Sequence, residues 1–431
     1  MSFITDKQTL EDLNLLGKFK SQSVFSLFNH VKTAGGERLL EQMFLHPLSN
    51  PADINDRTAI FRYYQAQALV FPFSKEEFQL AENYLDGGGA GNYIGAVAGI
   101  LQKKVMSSLV RDVRFGELYA GLQATIGLLQ KLTAFSALLK PGNAEAEALK
   151  ALLSDNRLKA VIQAKGPRLA EVISYDYLLR TKMRPQMERM LQTVHKMDVY
   201  IAVSDVARAG YYCYPQALEA DQQKAEIRDL RHPALAKAIP NSLSLNREGN
   251  LLFLTGANMA GKSTFMKSFG MAVYLAHMGF PVAAAQMEFS VRDGLYTSIN
   301  VPDNLQMGYS HFYAEVQRVK TVAEAVSRGE RLIVIFDELF KGTNVKDAYD
   351  ATLAVSAAFG AYGTCLFIIS THIIEVGEAL RETGSRVLFR YLPTVMDGAV
   401  PRYTYQLAEG ITEDRQGMLI VQNEGILELL S

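Results

Sequence analysis

The segment Gly256-Ala257-Asn258-Met259-Ala260-Gly261-Lys262-Ser263 constrains this chain more than any other. It satisfies G-x-x-x-x-G-K-[ST], the P-loop pattern. The run before it, Leu251-Leu252-Phe253-Leu254-Thr255, is short, apolar and strand-like. The run after it, Thr264 to Met278, reads as a helix with Phe265, Met266, Phe269, Val273 and Leu275 among its apolar positions. Strand, glycine loop and helix, in that order, is the context the pattern needs. Backbone N–H groups of such a loop and of the helix N-terminus cradle phosphate. The residues from Gly256 to Thr264 are therefore the expected contacts of a bound ATP. Lys262 is expected to reach the β- and γ-phosphates, and the Ser263 hydroxyl to ligate Mg²⁺.

A chain of 431 residues is long enough for two domains or more. Its hydrophobic content of 48% is ordinary for a globular protein and can fill sizeable cores. The two cysteines, Cys213 and Cys365, lie too far apart for a metal or redox motif, which points to a reducing compartment. The segment Met1 to Asp6 lacks the regions of a signal peptide, and no apolar run reaches the length of a membrane span. A cytoplasmic protein without a membrane partner is expected. The net charge of −1 demands no polyanion, but its distribution is uneven. Residues 101–200 hold 16 Lys+Arg against 9 Asp+Glu, a balance of +7; residues 231–431 hold 17 against 20, a balance of −3. A basic middle suits DNA binding, but charge alone favours a solvated helical face.

Helical spacing begins early. Leu39, Leu40, Met43 and Phe44 share one face, Pro47 closes that helix, and Asn50-Pro51 opens the next, carrying Ile54, Arg57 and Phe61. His30, taken alone, fits a capping or core role. A flexible Asp86-Gly87-Gly88-Gly89-Ala90-Gly91-Asn92 loop follows. Helical patterns then run over 93–110, 114–140, 145–164 and 168–208, with Pro185 a candidate start for the last. The chain up to about residue 230 reads as almost entirely helical. From Arg231-His232-Pro233 onward strands and helices alternate, with strands expected at 251–255, 294–299, 331–336, 365–370, 386–391 and 402–407.

Two further motifs fall in this second half. Leu332-Ile333-Val334-Ile335-Phe336 is a buried-strand run that ends in Asp337-Glu338, a Walker B pattern. Asp337 is expected to hold Mg²⁺, directly or through water, and Glu338 to polarise the attacking water. The run Phe367-Ile368-Ile369-Ser370-Thr371 delivers His372 at a strand's C-terminal end, beside the nucleotide. There it could sense the γ-phosphate or orient water.

Together these stretches resemble the MutS family of DNA mismatch repair ATPases. Thr255 to Thr264, with Asn258-Met259 between the glycines, is similar to the family P-loop. Asp337-Glu338-Leu339-Phe340-Lys341-Gly342-Thr343-Asn344 resembles its Walker B and following turn. Ser370-Thr371-His372 resembles its Ala-Thr-His. Asp303-Asn304-Leu305 with Gly308-Tyr309-Ser310-His311-Phe312 and Glu315 resembles its signature loop, in which the serine reaches the partner subunit's nucleotide. Ser26 to Arg57 is similar to the opening of the family's helical core, Asp198 to Pro215 to the end of its lever helix, and Arg231-His232-Pro233 to the entry of its ATPase domain.

The resemblance also has departures. Full mismatch readers carry two domains before the core, one bearing a Phe-x-Glu wedge, whereas this sequence starts near the core. Phe115-Gly116-Glu117 and Phe336-Asp337-Glu338 match that tripeptide by chance. The span before the ATPase entry leaves little room for a full DNA clamp. The family's adenine-stacking aromatic is replaced by Ala238-Ile239, leaving Tyr405 to stack from the other side. The C-terminal dimerising helices are expected to be short or absent.

The resemblance implies a multidomain α plus α/β protein: a helical core and lever over 1–230, then a P-loop, ABC-type ATPase domain over 231–431. It implies a homodimer that couples ATP hydrolysis to engagement of double-stranded or branched DNA in mismatch repair or a related process, without wedge-type mismatch reading. The alternative is a nucleotide-gated scaffold that binds proteins and not DNA. A small-molecule P-loop kinase fits less well, because Glu338 follows Asp337 and no acceptor motif is present.

Overall fold

The computed structural model describes residues 3–17, 23–110, 113–299, 311–382, 386–397, 400–412 and 429. The chain divides into two compact units, one of Met1–Leu27, Phe44–Ala59 and Ala207–Ser431, the other of Phe28–Met43 and Ile60–Val206.

The second unit is helical. Its helices include Lys75–Asp86, Tyr93–Val110, Arg114–Leu138, Ala144–Leu153 and Leu169–Tyr177, and much of Arg184–Ala209. Ser74 and Glu77 close a capping box at the first of these, satisfying orphan N–H groups at the helix start. Asn143 caps Ala144–Leu153 by accepting from Ala146 N at 3.0 Å. The continuous helix expected over 145–164 instead stops at Ser154 and resumes at Lys159–Gln163 after a short 3₁₀ turn that Asp155 caps. The pattern over 168–208 is also broken. A π-turn occupies Leu178–Lys182, and a new helix starts at Arg184 with Pro185 in its first turn, where proline's missing N–H costs nothing.

The buried heart of this unit is polar as well as apolar. Asp198, 1% exposed, accepts from Lys32 N, Thr33 N and the Thr33 hydroxyl, the last two at 2.7 Å. The start of the helix Ala34–Leu45 is thereby fixed against the long helix Arg184–Ala209. A Cβ on Gly36 would lie 2.8 Å from Asp198 Oδ2, so glycine is needed for that approach.

The first unit is α/β. Its strands are β1 (Gln216–Leu218), β2 (Ala225–Leu230), β3 (Asn241–Leu245), β4 (Leu251–Gly256), β5 (Gln286–Ser290), β6 (Gly294–Ser298), β7 (Leu332–Phe336), β8 (Leu366–Ser370), β9 (Val387–Leu392), β10 (Thr394–Asp397), β11 (Val400–Tyr403) and β12 (Ala408–Glu409). Six form the main sheet in the order β12-β9-β4-β8-β7-β6, parallel except for β12. Every residue of β4, β6, β7 and β8 is buried, as in a sheet covered on both faces. One core layer packs Phe253, Val334, Phe336, Phe359 and Phe367 together.

Two expectations are corrected here. Helix does not continue to residue 230: β1 and β2 lie before that point and join β5 and β3 in a second sheet ordered β1-β5-β2-β3. The strand expected at 402–407 ends at Tyr403, because Tyr405 adopts φ +56° and leaves the extended region. The segment preceding Leu27 also joins this unit. Ile4 extends the sheet edge beside Gly294, and Asp12 accepts from the Thr297 hydroxyl at 2.7 Å. That addition covers the open edge of β6.

Candidate functional site

The strand order creates the site. The loop after β4, the acids after β7 and the histidine after β8 all emerge at the same, C-terminal end of the parallel sheet, and β8 lies between the other two. Parallel α/β sheets place their ligands at this end.

The glycine loop leaves β4 with Gly256 at φ +146° and enters the next helix through Gly261 at φ +102°. Both values favour glycine, and a Cβ on Gly261 would also meet Tyr405 Cδ1 at 3.1 Å. The helix runs Lys262–His277, beginning two residues earlier than its apolar pattern suggests. It has no side-chain cap, so its first N–H groups are left to an anion. Lys262 is 5% exposed, and its Nζ donates to Gly256 O at 2.8 Å and Ala257 O at 3.2 Å. Burial pulls the Lys262 ammonium below its ordinary range, while Asp337 and Glu338 act in the opposite sense.

The two acids have different surroundings. Asp337 accepts from the Ser263 hydroxyl on Oδ2 and from the Ser370 hydroxyl on Oδ1, both at 2.5 Å. Glu338 sits at φ +55°, its N–H bonded to Ser370 O at 3.0 Å. Glu338 Oε1 lies 2.7 Å from His372 Nε2, and Oε2 lies 3.6 Å from Lys341 Nζ. The hydrogen bond from His372 draws the Glu338 carboxyl down to about 2, against the opposing effect of burial.

Oxygen donors from Ser263 and Asp337 converge on one point. Among the described residues there is no cluster of three or more His, Cys, Asp or Glu able to hold a metal on its own. One hydroxyl and one carboxylate fit Mg²⁺, which completes its shell with water and substrate phosphate. They do not fit a dedicated zinc centre.

A cavity of about 310 Å³ opens beside the loop, lined by His232, Ala238, Ile239, Met259, Phe265 and Tyr405 among others. Tyr405, Ala238 and Ile239 thus line the same cavity. Asn241 fixes that wall: its Nδ2 donates to Tyr405 O at 2.9 Å, and its Oδ1 accepts from Leu407 N at 2.7 Å. The roles of Asn241 and Ser370 are not apparent in the sequence. The one signal for Ser370 is a hydroxyl where the resembling motif has alanine. Ser310 and the rest of the signature stretch from Asp303 to residue 310 lie outside the described residues, while Phe312 and Glu315 lie on the helix His311–Ser327.

Comparison with known proteins agrees with this architecture. The chain matches MutS domain III over residues 8–247 and MutS domain V over residues 252–428. It is 29% identical over 275 residues to a DNA mismatch repair protein MutS of Syntrophomonas wolfei, covering 58% of this chain and 31% of that protein. It is 26% identical to proteins of the same name from Petrotoga mobilis and Clostridioides difficile, covering 56% and 52% of this chain and 29% and 26% of theirs. The chain thus spans about a third or less of each relative's length. With one family domain matched across more than half of its residues and a second across the sheet and its loops, the chain belongs to the MutS family.

Proposed function

We propose that this chain hydrolyses ATP with Mg²⁺ and couples that reaction to engagement of DNA, in mismatch repair or a related repair or recombination process. The observation that carries this reading is the convergence of Lys262, Ser263, Asp337, Glu338 and His372 at one end of the sheet. Residues 231–431 act as the P-loop ATPase domain, and residues 1–230 supply the core and lever that it drives. The name of these relatives supports the DNA repair setting.

The chemistry assigned to each residue follows from its surroundings. Loop N–H groups and Lys262 bind the β- and γ-phosphates, with Lys262 exchanging its carbonyl partners for phosphate oxygens. Ser263 and Asp337 would hold Mg²⁺, which when bound neutralises phosphate charge. Glu338, kept ionised by His372, accepts a hydrogen bond from water and aims its oxygen at the γ-phosphorus. A carboxylate of such low basicity orients water better than it stores a proton. The new P–O bond forms as the bond to the β–γ bridging oxygen breaks, giving ADP and phosphate. The base occupies the cavity lined by Tyr405, Ala238 and Ile239.

Two copies, each offering Ser310 to the other's nucleotide, complete the proposed site. Wedge-type mismatch reading is not assigned to these residues. Phe336 is buried in β7, and Phe115 lies on the helix Arg114–Leu138 with its ring against Tyr119. We place the protein in the cytoplasm; among the described residues no helix is long and apolar enough to cross a membrane.

The test is ATP turnover with and without linear, mismatched and branched DNA. Turnover that exceeds a Glu338→Ala control and responds to DNA supports the reading. Turnover indifferent to every DNA, with no DNA retained at low salt, favours a nucleotide-gated protein scaffold instead.

A further inference from the structure

Ser370 stands where three interactions meet. It is the last residue of β8, fully buried, and paired in register with Leu254 of β4, while its neighbour Ile369 pairs with Phe336 of β7. Its hydroxyl donates to Asp337 Oδ1 at 2.5 Å, and the Ser370 Oγ itself accepts from Glu338 N at 3.2 Å. Its carbonyl accepts from Glu338 N at 3.0 Å. The Ser263 hydroxyl occupies the other carboxylate oxygen of Asp337. Hydroxyl-to-carboxylate bonds of this length are charge-assisted and strong.

We propose that Ser370 is a positioning residue for Mg²⁺: its hydroxyl pins Asp337 Oδ1, so that Oδ2 faces Ser263 where the ion would sit. The proposal rests on the nucleotide-site reading above. The physical argument concerns the last torsion of aspartate. That torsion has a broad, roughly two-fold profile, so a carboxylate held at only one oxygen is poorly fixed in plane. Bonds at both oxygens remove that freedom before the ion arrives, and so remove an ordering cost from ion binding. Alanine at position 370 would delete the pin and the longer of the two bonds from Glu338 N, but keep the backbone carbonyl that accepts from Glu338 N at 3.0 Å. The substitution therefore separates metal positioning from the geometry of the water-orienting acid.

The experiment uses the full chain and a fluorescent ADP analogue. Binding is measured with EDTA and across a Mg²⁺ titration, for the parent, Ser370→Ala and Ser370→Thr. In Ser370→Ala the Mg²⁺ needed for half-maximal enhancement should rise about tenfold, the scale of one lost charge-assisted hydrogen bond. Affinity in EDTA should stay unchanged. Ser370→Thr should return the Mg²⁺ requirement to within about threefold of the parent, by restoring the donor. An unchanged Mg²⁺ requirement in Ser370→Ala overturns the proposal, as does an equal loss of affinity in EDTA, which marks general damage to the loop. If the threonine methyl prevents folding, judged by circular dichroism, the alanine titrations still decide. Failure of the parent to bind the analogue at all would instead remove the nucleotide-site reading.

Discussion

His372 Nε2 lies 2.7 Å from Glu338 Oε1, tying the end of β8 to the end of β7. The contact holds the Glu338 carboxyl at about 2, well below its ordinary 4.5. A depressed acid contributes stability that is complete above its unfolded value and is lost as the pH falls through the folded one. For Glu338 that window runs from about 4.5 down to about 2. Replacing His372 with alanine should release Glu338 upward toward its ordinary 4.5. The acid limb of the pH–rate profile should therefore move upward in His372→Ala. An identical acid limb in both proteins would show that His372 does not control this carboxyl.

Lys262 and Glu338 should separate binding from turnover. Lys262→Ala removes the buried cation hydrogen-bonded to Gly256 O and Ala257 O, and nucleotide affinity should fall by about a hundredfold or more. Glu338→Ala leaves the loop and Lys262 intact, so it should bind ATP normally and accumulate in the ATP-bound state. Equilibrium binding beside single-turnover hydrolysis distinguishes the two. Equal loss of binding in both variants contradicts the role given to Glu338.

Asp198 should be a stability residue of the helical unit. Its replacement by alanine strips acceptors from Lys32 N, Thr33 N and the Thr33 hydroxyl, and Asp198 is itself buried. Unsatisfied buried donors cost about 1–3 kcal/mol each, so a loss of about 2–4 kcal/mol is expected after partial relaxation. Urea unfolding followed by circular dichroism reads this directly, and a change below about 0.5 kcal/mol would contradict the assignment.

Mixing two inactive variants tests the composite site. In a mixed dimer of Lys262→Ala and Ser310→Ala, the Ser310→Ala subunit keeps its own lysine and receives serine from its partner. One whole site returns, and part of the ATPase activity with it. Absence of recovery, with subunit exchange shown independently, would place Ser310 on its own subunit's nucleotide.

DNA retention should map to residues 101–200, with their balance of +7, and should drop steeply with salt. Counterion release predicts at least a tenfold loss between about 50 and about 200 mM salt if several phosphates are contacted. Homoduplex and mispaired DNA should bind within about tenfold of each other, a difference below about 1.4 kcal/mol. A larger preference for the mispair would mean that some element of this chain reads the base pair. Salt-insensitive retention would argue against phosphate contacts.

The sequence by itself determined the loop from Gly256 to Ser263, the acids Asp337-Glu338, the strands that carry them and the run ending in His372, because each depends on local pattern. Glycines at fixed spacing permit the positive φ values at Gly256 and Gly261, and uninterrupted apolar runs give strands buried on both faces. The tertiary structure alone decided which of these groups touch. Strand order inserts β8 between β4 and β7, and this brings Ser370 to Asp337 across 33 positions of chain. Asn241 holds Tyr405 across 164 positions, and the strand that the local pattern extended to residue 407 ends at Tyr403. The residues of β1, β2 and the helix Lys7–Asp12 joined the α/β unit because sheet edges and buried polar groups there needed partners, as Thr297 and Ile299 found in Asp12. Periodicity reports which face of an element is buried, but neighbours distant in sequence are chosen by register and topology, which it does not encode.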